Sequence, residues 1–323
     1  MASLSRLIAG VAALAATGQA ASLQQVTDFG PNTSGTQMYL YAPDSLSSAG
    51  DKSNAPVVVA IHYCTGTAEA YFSSTPYPAL AEQYGFYVIY PESPYNGTCW
   101  DVSSQEALTH GGGADTSSIA EMVSYTLSTY GADASRVFVT GSSSGAMMTN
   151  VLAAAYPDVF KAATVYSGVP AGCFYTGAVD GWNSTCSSGE SIHTQKEWAD
   201  TALAMYPGYT GPRPKMLIFH GTADTALLPQ VSKMRCSHHR PVEHKLTRFV
   251  KNFNETIKQW TGVFGYSDVP EQTLEQTPSA AYTKYVYGEN VVGIYGTGIG
   301  HTVPVMGDED MAWFGISGIS TAA

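Results

Sequence analysis

A mostly parallel α/β sheet flanked by helices is the architecture this sequence predicts, on three observations. Four short segments, Val57 to Ile61, Arg136 to Thr140, Lys215 to Phe219 and Gly293 to Gly296, have the apolar or β-branched pattern of buried strands. Each runs into a loop that carries a Cys, Ser, Asp or His, and the loops beyond strand C-termini are where open α/β sheets place their sites. Behind one of these loops, Ala146 to Tyr156 is rich in Ala, Met and Leu and reads as a helix. The chain has 323 residues, and a single domain over residues 21–323 fits one large core.

At the N-terminus, Arg6 precedes an apolar run from Leu7 to Ala16, and Gly18-Gln19-Ala20 supplies small residues for cleavage before Ala21. Residues 1–20 are therefore expected to be a signal peptide and the mature protein to be secreted. That run is too short to span a bilayer, and no other stretch approaches the roughly twenty apolar residues of a membrane helix, so no membrane partner is expected.

The first strand, Val57-Val58-Val59-Ala60-Ile61, ends in His62-Tyr63-Cys64-Thr65-Gly66. The second leads into Gly141-Ser142-Ser143-Ser144-Gly145, a G-x-S-x-G motif between strand and helix, which makes Ser143 a candidate nucleophile on a sharp turn. A serine hydroxyl needs a histidine base and a carboxylate that orients it. Lys215 to Phe219 runs into His220-Gly221-Thr222-Ala223-Asp224, and Gly293 to Gly296 into Thr297-Gly298-Ile299-Gly300-His301, so Asp224 and His301 are the expected partners. Competing residues have weaker settings. His62 and His220 directly follow strands and read as packed, hydrogen-bonded residues; His110 and His193 lie in polar loops and read as solvated. Asp180, Asp200 and Asp268 sit in polar stretches, and Asp308 and Asp310 in an acidic turn.

Serine, aspartate and histidine in that chain order, each at a strand end, are the arrangement of an α/β-hydrolase. In such a fold the oxyanion hole takes one amide from the residue after the nucleophile, here Ser144, and one from the loop after the early strand, for which Cys64 is the choice. Acyl transfer by this machinery needs no metal and no organic cofactor.

With those residues in place, the chain resembles the fungal acetylxylan esterases of carbohydrate esterase family one, relatives of feruloyl esterases and polyhydroxybutyrate depolymerases. The resemblance lies in His62 to Gly66, Tyr90-Pro91-Glu92-Ser93, Val139 to Met148, His220 to Asp224, Lys258-Gln259-Trp260, Gly300-His301-Thr302-Val303-Pro304 and Trp313-Phe314-Gly315. It implies a secreted serine esterase that removes acetyl groups from xylan, with the same triad. No cysteine-rich cellulose-binding module follows Gly315, so a bare catalytic domain is expected. The alternatives are a feruloyl esterase, which needs a larger acyl pocket, and a non-catalytic secreted glycoprotein that binds xylan. Trp182, in the loop Asp180-Gly181-Trp182-Asn183, is the aromatic expected to line the substrate cleft.

Secretion permits disulfides and glycans. Five cysteines are present, Cys64, Cys99, Cys173, Cys186 and Cys236, and the expected pairs are Cys64 with Cys99 and Cys173 with Cys186. Asn32, Asn96, Asn183 and Asn254 begin N-x-S/T sequons, of which Asn96 and Asn183 are expected to be the most exposed.

One segment breaks the composition. Residues 231–251 hold six of the fifteen Lys and Arg, three of the eight His, and the odd Cys236. In the resembled family the chain runs through Pro229-Gln230 straight into Asn252, so the segment is an insertion. A zinc site from Cys236, His238, His239 and His244 fits no standard ligand spacing; a basic loop for acidic polysaccharide is a second reading. The preferred reading is a translated intron: Val231-Ser232 can be encoded by a 5′ splice signal, Leu246-Thr247 by a branch point, and Lys251 can end in AG. The full chain carries a net charge of −11. Removing Arg6 with the leader, and six basic residues and Glu243 with the insertion, leaves eight basic against 25 acidic side chains, a net −17. Such a protein is a poor partner for nucleic acid.

Overall fold

The structure, a computed structural model, describes residues 22–48, 55–225 and 243–317, with the backbone alone over 243–250. The expected signal peptide, Cys236 and residues 231–242 of the expected insertion lie outside the described residues. Along the described chain the elements are β1 (Gln24–Val26), β2 (Gln37–Tyr41), α1 (Asp44–Ser48), β3 (Val57–Ile61), α2 (Ala68–Ser74), α3 (Tyr77–Tyr84) and β4 (Tyr87–Glu92). There follow α4 (Asp115–Tyr130), β5 (Val137–Ser142), α5 (Ser144–Ala155), β6 (Ala162–Tyr166), α6 (Ser184–Ser187), α7 (Gln195–Leu203) and β7 (Lys215–Gly221). The chain closes with α8 (Glu243–Phe264), β8 (Gln272–Glu275), β9 (Tyr282–Val286), β10 (Val291–Gly296) and α9 (Gly307–Trp313).

The strands form one ten-stranded sheet in the order β1-β2-β4-β3-β5-β6-β7-β10-β9-β8. Its centre, from β4 to β10, is parallel, and the two edges are antiparallel. Parallel strands are buried on both faces, and β3 shows the consequence: all five residues are buried and alternate between two cores. Val57, Val59 and Ile61 pack with Ile119 of α4, Leu152 of α5 and Trp260 of α8. Val58 and Ala60 pack on the opposite face with Tyr71 of α2, Tyr77 of α3 and Met311 of α9. This sandwich is the α/β-hydrolase architecture expected from the strand pattern.

Helix α5 is buried along its whole length, which explains its Ala- and Met-rich composition: a helix inside the molecule has no polar face. Helix α7 begins on a capping box, in which Thr194 Oγ1 accepts from the Glu197 amide and the Glu197 carboxylate accepts from the Thr194 amide. Helix α8 starts at Glu243, so residues 243–251, the last nine of the anomalous segment, are helical.

Helix α9 corrects the reading of Asp308 and Asp310 as an acidic turn. Asp308 is exposed in its first turn, whereas Asp310 is fully buried and accepts from Tyr77 Oη at 2.7 Å and Tyr166 Oη at 2.8 Å. Burial pushes its carboxyl up to about 7, although both phenol hydrogen bonds favour the charged form. The folded protein thus keeps this proton above the pH near 4 at which an unfolded chain releases it. Stability from this group is present below about pH 4 and falls as pH rises toward about 7, with a slope of up to about 1.4 kcal/mol per pH unit. Asp310→Asn is expected to flatten the pH dependence of the unfolding free energy between pH 4 and 7. Urea titrations of both proteins across that range check this, and parallel curves would count against it.

Candidate active site

Strand β5 delivers Ser143 to the top of the sheet. At Ser143 the backbone takes φ +55° and ψ −118°, a conformation that L-residues rarely adopt, and such strain collects at functional positions. The turn is sharp enough that a side chain at Gly145 would put Cβ 2.2 Å from the Ile61 carbonyl oxygen, and one at Gly141 would put it 2.4 Å from the Gly145 oxygen. Both glycines of the motif are therefore required by close backbone approach between α5, β5 and β3.

The strand order then brings the distant residues together. Ser143 Oγ lies 2.7 Å from His301 Nε2, and His301 Nδ1 lies 2.8 Å from Asp224 Oδ2. The two loops beyond β7 and β10 are joined by their backbones: Thr222 N donates to Gly296 O and Ala223 N to Ile299 O, each at 2.8 Å. Gly221 allows this contact, since a Cβ there would lie 2.2 Å from the Ile299 oxygen. Asp224 is buried while His301 is partly open to the cleft. Burial opposes the Asp224 charge, but N–H donors from His220 and His301 outweigh it and hold the carboxyl well below the usual range.

The loop after β3 faces the elbow. Cys64 is disulfide-bonded to Cys99 and Thr65 N donates to Gly97 O at 2.8 Å, so two links anchor the loop that carries the Cys64 amide. Ser144 is the first residue of α5, where a helix leaves N–H groups without intrahelical partners. Cys64 and Ser144 line the same cleft as Ser143 and His301. Beneath this loop His62 is buried; its Nε2 accepts from Ser93 N at 3.2 Å, so its Nδ1 carries the proton, donated to Tyr63 O.

The cleft has a volume of about 710 Å³. Trp182 lines it at 54% exposure, its ring edge-on to Phe174 at 5.2 Å. The Cys173–Cys186 disulfide closes the loop that carries it. Asp180, also in the wall, donates its amide to Oδ1 of the buried Asp101, and the Gly181 amide bonds Ser103 Oγ. Asp101 thus holds the Trp182 loop from below, a role with no signature in the sequence because the two segments meet only in the fold.

Several expectations change. His220 is buried, as its strand-end position indicates, but its Nε2 bonds Asp224 Oδ2 at 3.1 Å, which places it in the site itself. His110 is not solvated: its Nδ1 lies 2.7 Å from Ala155 O and its ring stacks on Tyr206 at 3.6 Å. His193 is exposed. Of the sequons, Asn32, Asn96 and Asn254 are exposed. Asn183 is half-buried instead, because its Oδ1 caps α6 by accepting from Cys186 N at 3.0 Å.

Comparison with known proteins identifies the chain's relatives. Residues 39–227 match the family described as Esterase PHB depolymerase. The chain is 57% identical over 300 residues to a probable acetylxylan esterase A of Aspergillus fumigatus, covering 92% of this chain and 74% of that protein. It is 56% identical over 299 residues to acetylxylan esterase A of Aspergillus ficuum, covering 92% and 90%. A solved acetyl xylan esterase from Aspergillus awamori superposes with a TM-score of 0.82 at 56% identity, covering 91% of this chain and 99% of that one.

Proposed function

This chain belongs to the Esterase PHB depolymerase family, among the acetylxylan esterases, and from that premise we propose that Ser143, His301 and Asp224 hydrolyse acetyl esters on xylan. The observation that carries the proposal is the unbroken relay of 2.7 Å and 2.8 Å at the wall of a sugar-sized cleft. Ser143 Oγ attacks the acetyl carbonyl carbon as its proton passes to His301 Nε2. The oxyanion that forms meets the amides of Cys64 and Ser144, which are oriented before the reaction begins. Asp224 holds the imidazole in the tautomer with a free Nε2 and stabilises the imidazolium. When the intermediate collapses, the sugar oxygen leaves with the proton from His301. Water then repeats the attack on the acetyl-enzyme and releases acetate.

Trp182 offers a flat, exposed face for a xylose ring beside the reacting ester. Secretion is supported by the leader-like residues 1–20 and by two disulfides, which persist in oxidising compartments. Among the described residues no helix is long and apolar enough to cross a membrane. Acetate release from acetylated xylan, measured beside methyl ferulate hydrolysis, tests the substrate assignment: acetate release is expected to dominate. Preferential ferulate cleavage would favour the feruloyl reading, and neither activity the xylan-binding one.

Residues 231–251 are proposed to be absent from the natural protein. Closing a loop twice as long costs only about 0.6 kcal/mol, so the fold tolerates them, but they place three histidines and six cations after the Asp224 loop. Deleting them is expected to leave acetate release and thermal stability at least as high as in the full chain. Messenger RNA from secreting mycelium is expected to join Gln230 directly to Asn252, and a mature message that keeps those codons would refute the reading.

A further inference from the structure

His220 is the penultimate residue of β7, with 2% of its side chain exposed. Its Nε2 lies 3.1 Å from Asp224 Oδ2, the same oxygen that receives His301 Nδ1 at 2.8 Å. The backbone contacts of this loop, Asp224 N to Gly221 O at 3.3 Å and Ala223 N to Ile299 O at 2.8 Å, place the Asp224 Cα. They act on the backbone and not on the carboxylate itself. A second N–H donor on Oδ2, mounted on a strand rather than a loop, restrains its rotation. The mount is rigid: β7 is paired on both sides, His220 stands beside Tyr295 of β10, and the Phe253 ring of α8 lies 6.5 Å away.

We propose that His220 is a positioning residue of the relay, whose Nε2–H holds Asp224 Oδ2 toward His301 and thereby keeps the imidazole in the tautomer that takes the Ser143 proton. This rests on the reading of Ser143, His301 and Asp224 as the catalytic relay. The reason is geometric: a triad carboxylate acts through the direction of its hydrogen bond as well as its charge, and a group on a rigid element holds that direction better than one on a loop. Among the described residues, the titratable groups facing the pair are Asp224 and His301 from the loops and Tyr295 from β10. Burial pushes the Tyr295 phenol up to about 12, so it stays neutral through the working range; α8 presents an uncharged ring.

The test compares His220→Leu, which keeps bulk and removes the donor, with His220→Gln, whose Nε2 amide reaches the position of the imidazole N–H. Wild type and Ser143→Ala serve as controls, with p-nitrophenyl acetate as substrate. For His220→Leu, kcat is expected to fall about 10- to 100-fold, in the range typical of lost orienting contacts, with KM within about twofold. The acid limb of kcat/KM is expected to move down by about half a pH unit or more, because a misaligned carboxylate stabilises the His301 imidazolium less. His220→Gln should stay within about threefold of wild type with the limb unmoved. Equal losses in both variants with an unmoved limb would reduce His220 to packing and overturn the proposal, as would a fully active His220→Leu. Should the leucine variant fail to fold by circular dichroism, nitrogen-15 spectra of wild-type His220 decide: an Nε2–H tautomer is expected, and an Nδ1–H tautomer overturns the proposal. Activity in Ser143→Ala would instead overturn the relay itself, so the two failures are distinct.

Discussion

Ser143→Ala is expected to lower kcat on p-nitrophenyl acetate by about a million-fold while the folded structure persists. The substitution removes one oxygen, so the attack and the acetyl-enzyme are both lost, and the other relay members cannot compensate because they act only through that oxygen. The fold should survive because Ser143 is held by its backbone: its amide donates to Tyr166 O at 2.9 Å and its carbonyl accepts from Met147 N at 3.0 Å. Neither contact uses the side chain. Circular dichroism and thermal melts beside the kinetics check both halves. A variant keeping a tenth of wild-type turnover would end the assignment of Ser143 as nucleophile.

Asp224→Asn should cost about 10⁴-fold in kcat, on the scale of triad carboxylate neutralisation. An amide placed with its oxygen toward His220 and His301 accepts both N–H groups but carries no charge, so the imidazolium formed during attack is no longer stabilised. Placed the other way, its NH₂ meets two donors and drives His301 into the wrong tautomer. Either orientation lowers the affinity of His301 for its proton, so the acid limb of kcat/KM is expected to move to lower pH. The carboxyl is held below its usual range in the folded protein, so it stabilises the fold at neutral pH and this contribution is lost as pH falls. The variant should therefore be less stable at pH 7 and less sensitive to acid. An unchanged limb would show that Asp224 does not act on His301.

The relay was legible in the sequence because each of its members is announced locally. Ser143 sits in a five-residue motif between a strand and a helix, and Asp224 and His301 each follow a short apolar strand in a loop of small residues. Local pattern reports burial and chain reversal, and those two properties place a residue at the top of a sheet strand. It does not report which polar groups meet inside the fold. His220 reads correctly as buried, yet its bond to Asp224 depends on how the turn after β7 folds back. Asp310 sits in an acidic string and reads as surface, but α9 turns it into the core, where Tyr77, 233 positions earlier, donates to it. Asn183 stands in a polar loop and yet caps a helix.

By itself, then, the sequence determined the four strands that lead into the site, the turn at Ser143, the order of the relay residues and the identity of the family, since these follow from apolar runs, glycine placement and short motifs. Only the tertiary structure decided that β5, β6, β7 and β10 lie side by side, which brings His301 to Ser143 across 158 positions of chain. It alone decided that His220 shares Asp224 with His301, and that Asp101 carries the Trp182 loop. The physical reason is that hydrophobic burial is non-directional and is written residue by residue, whereas a hydrogen bond between buried groups exists only when two separate segments arrive within about 3 Å and in the right orientation.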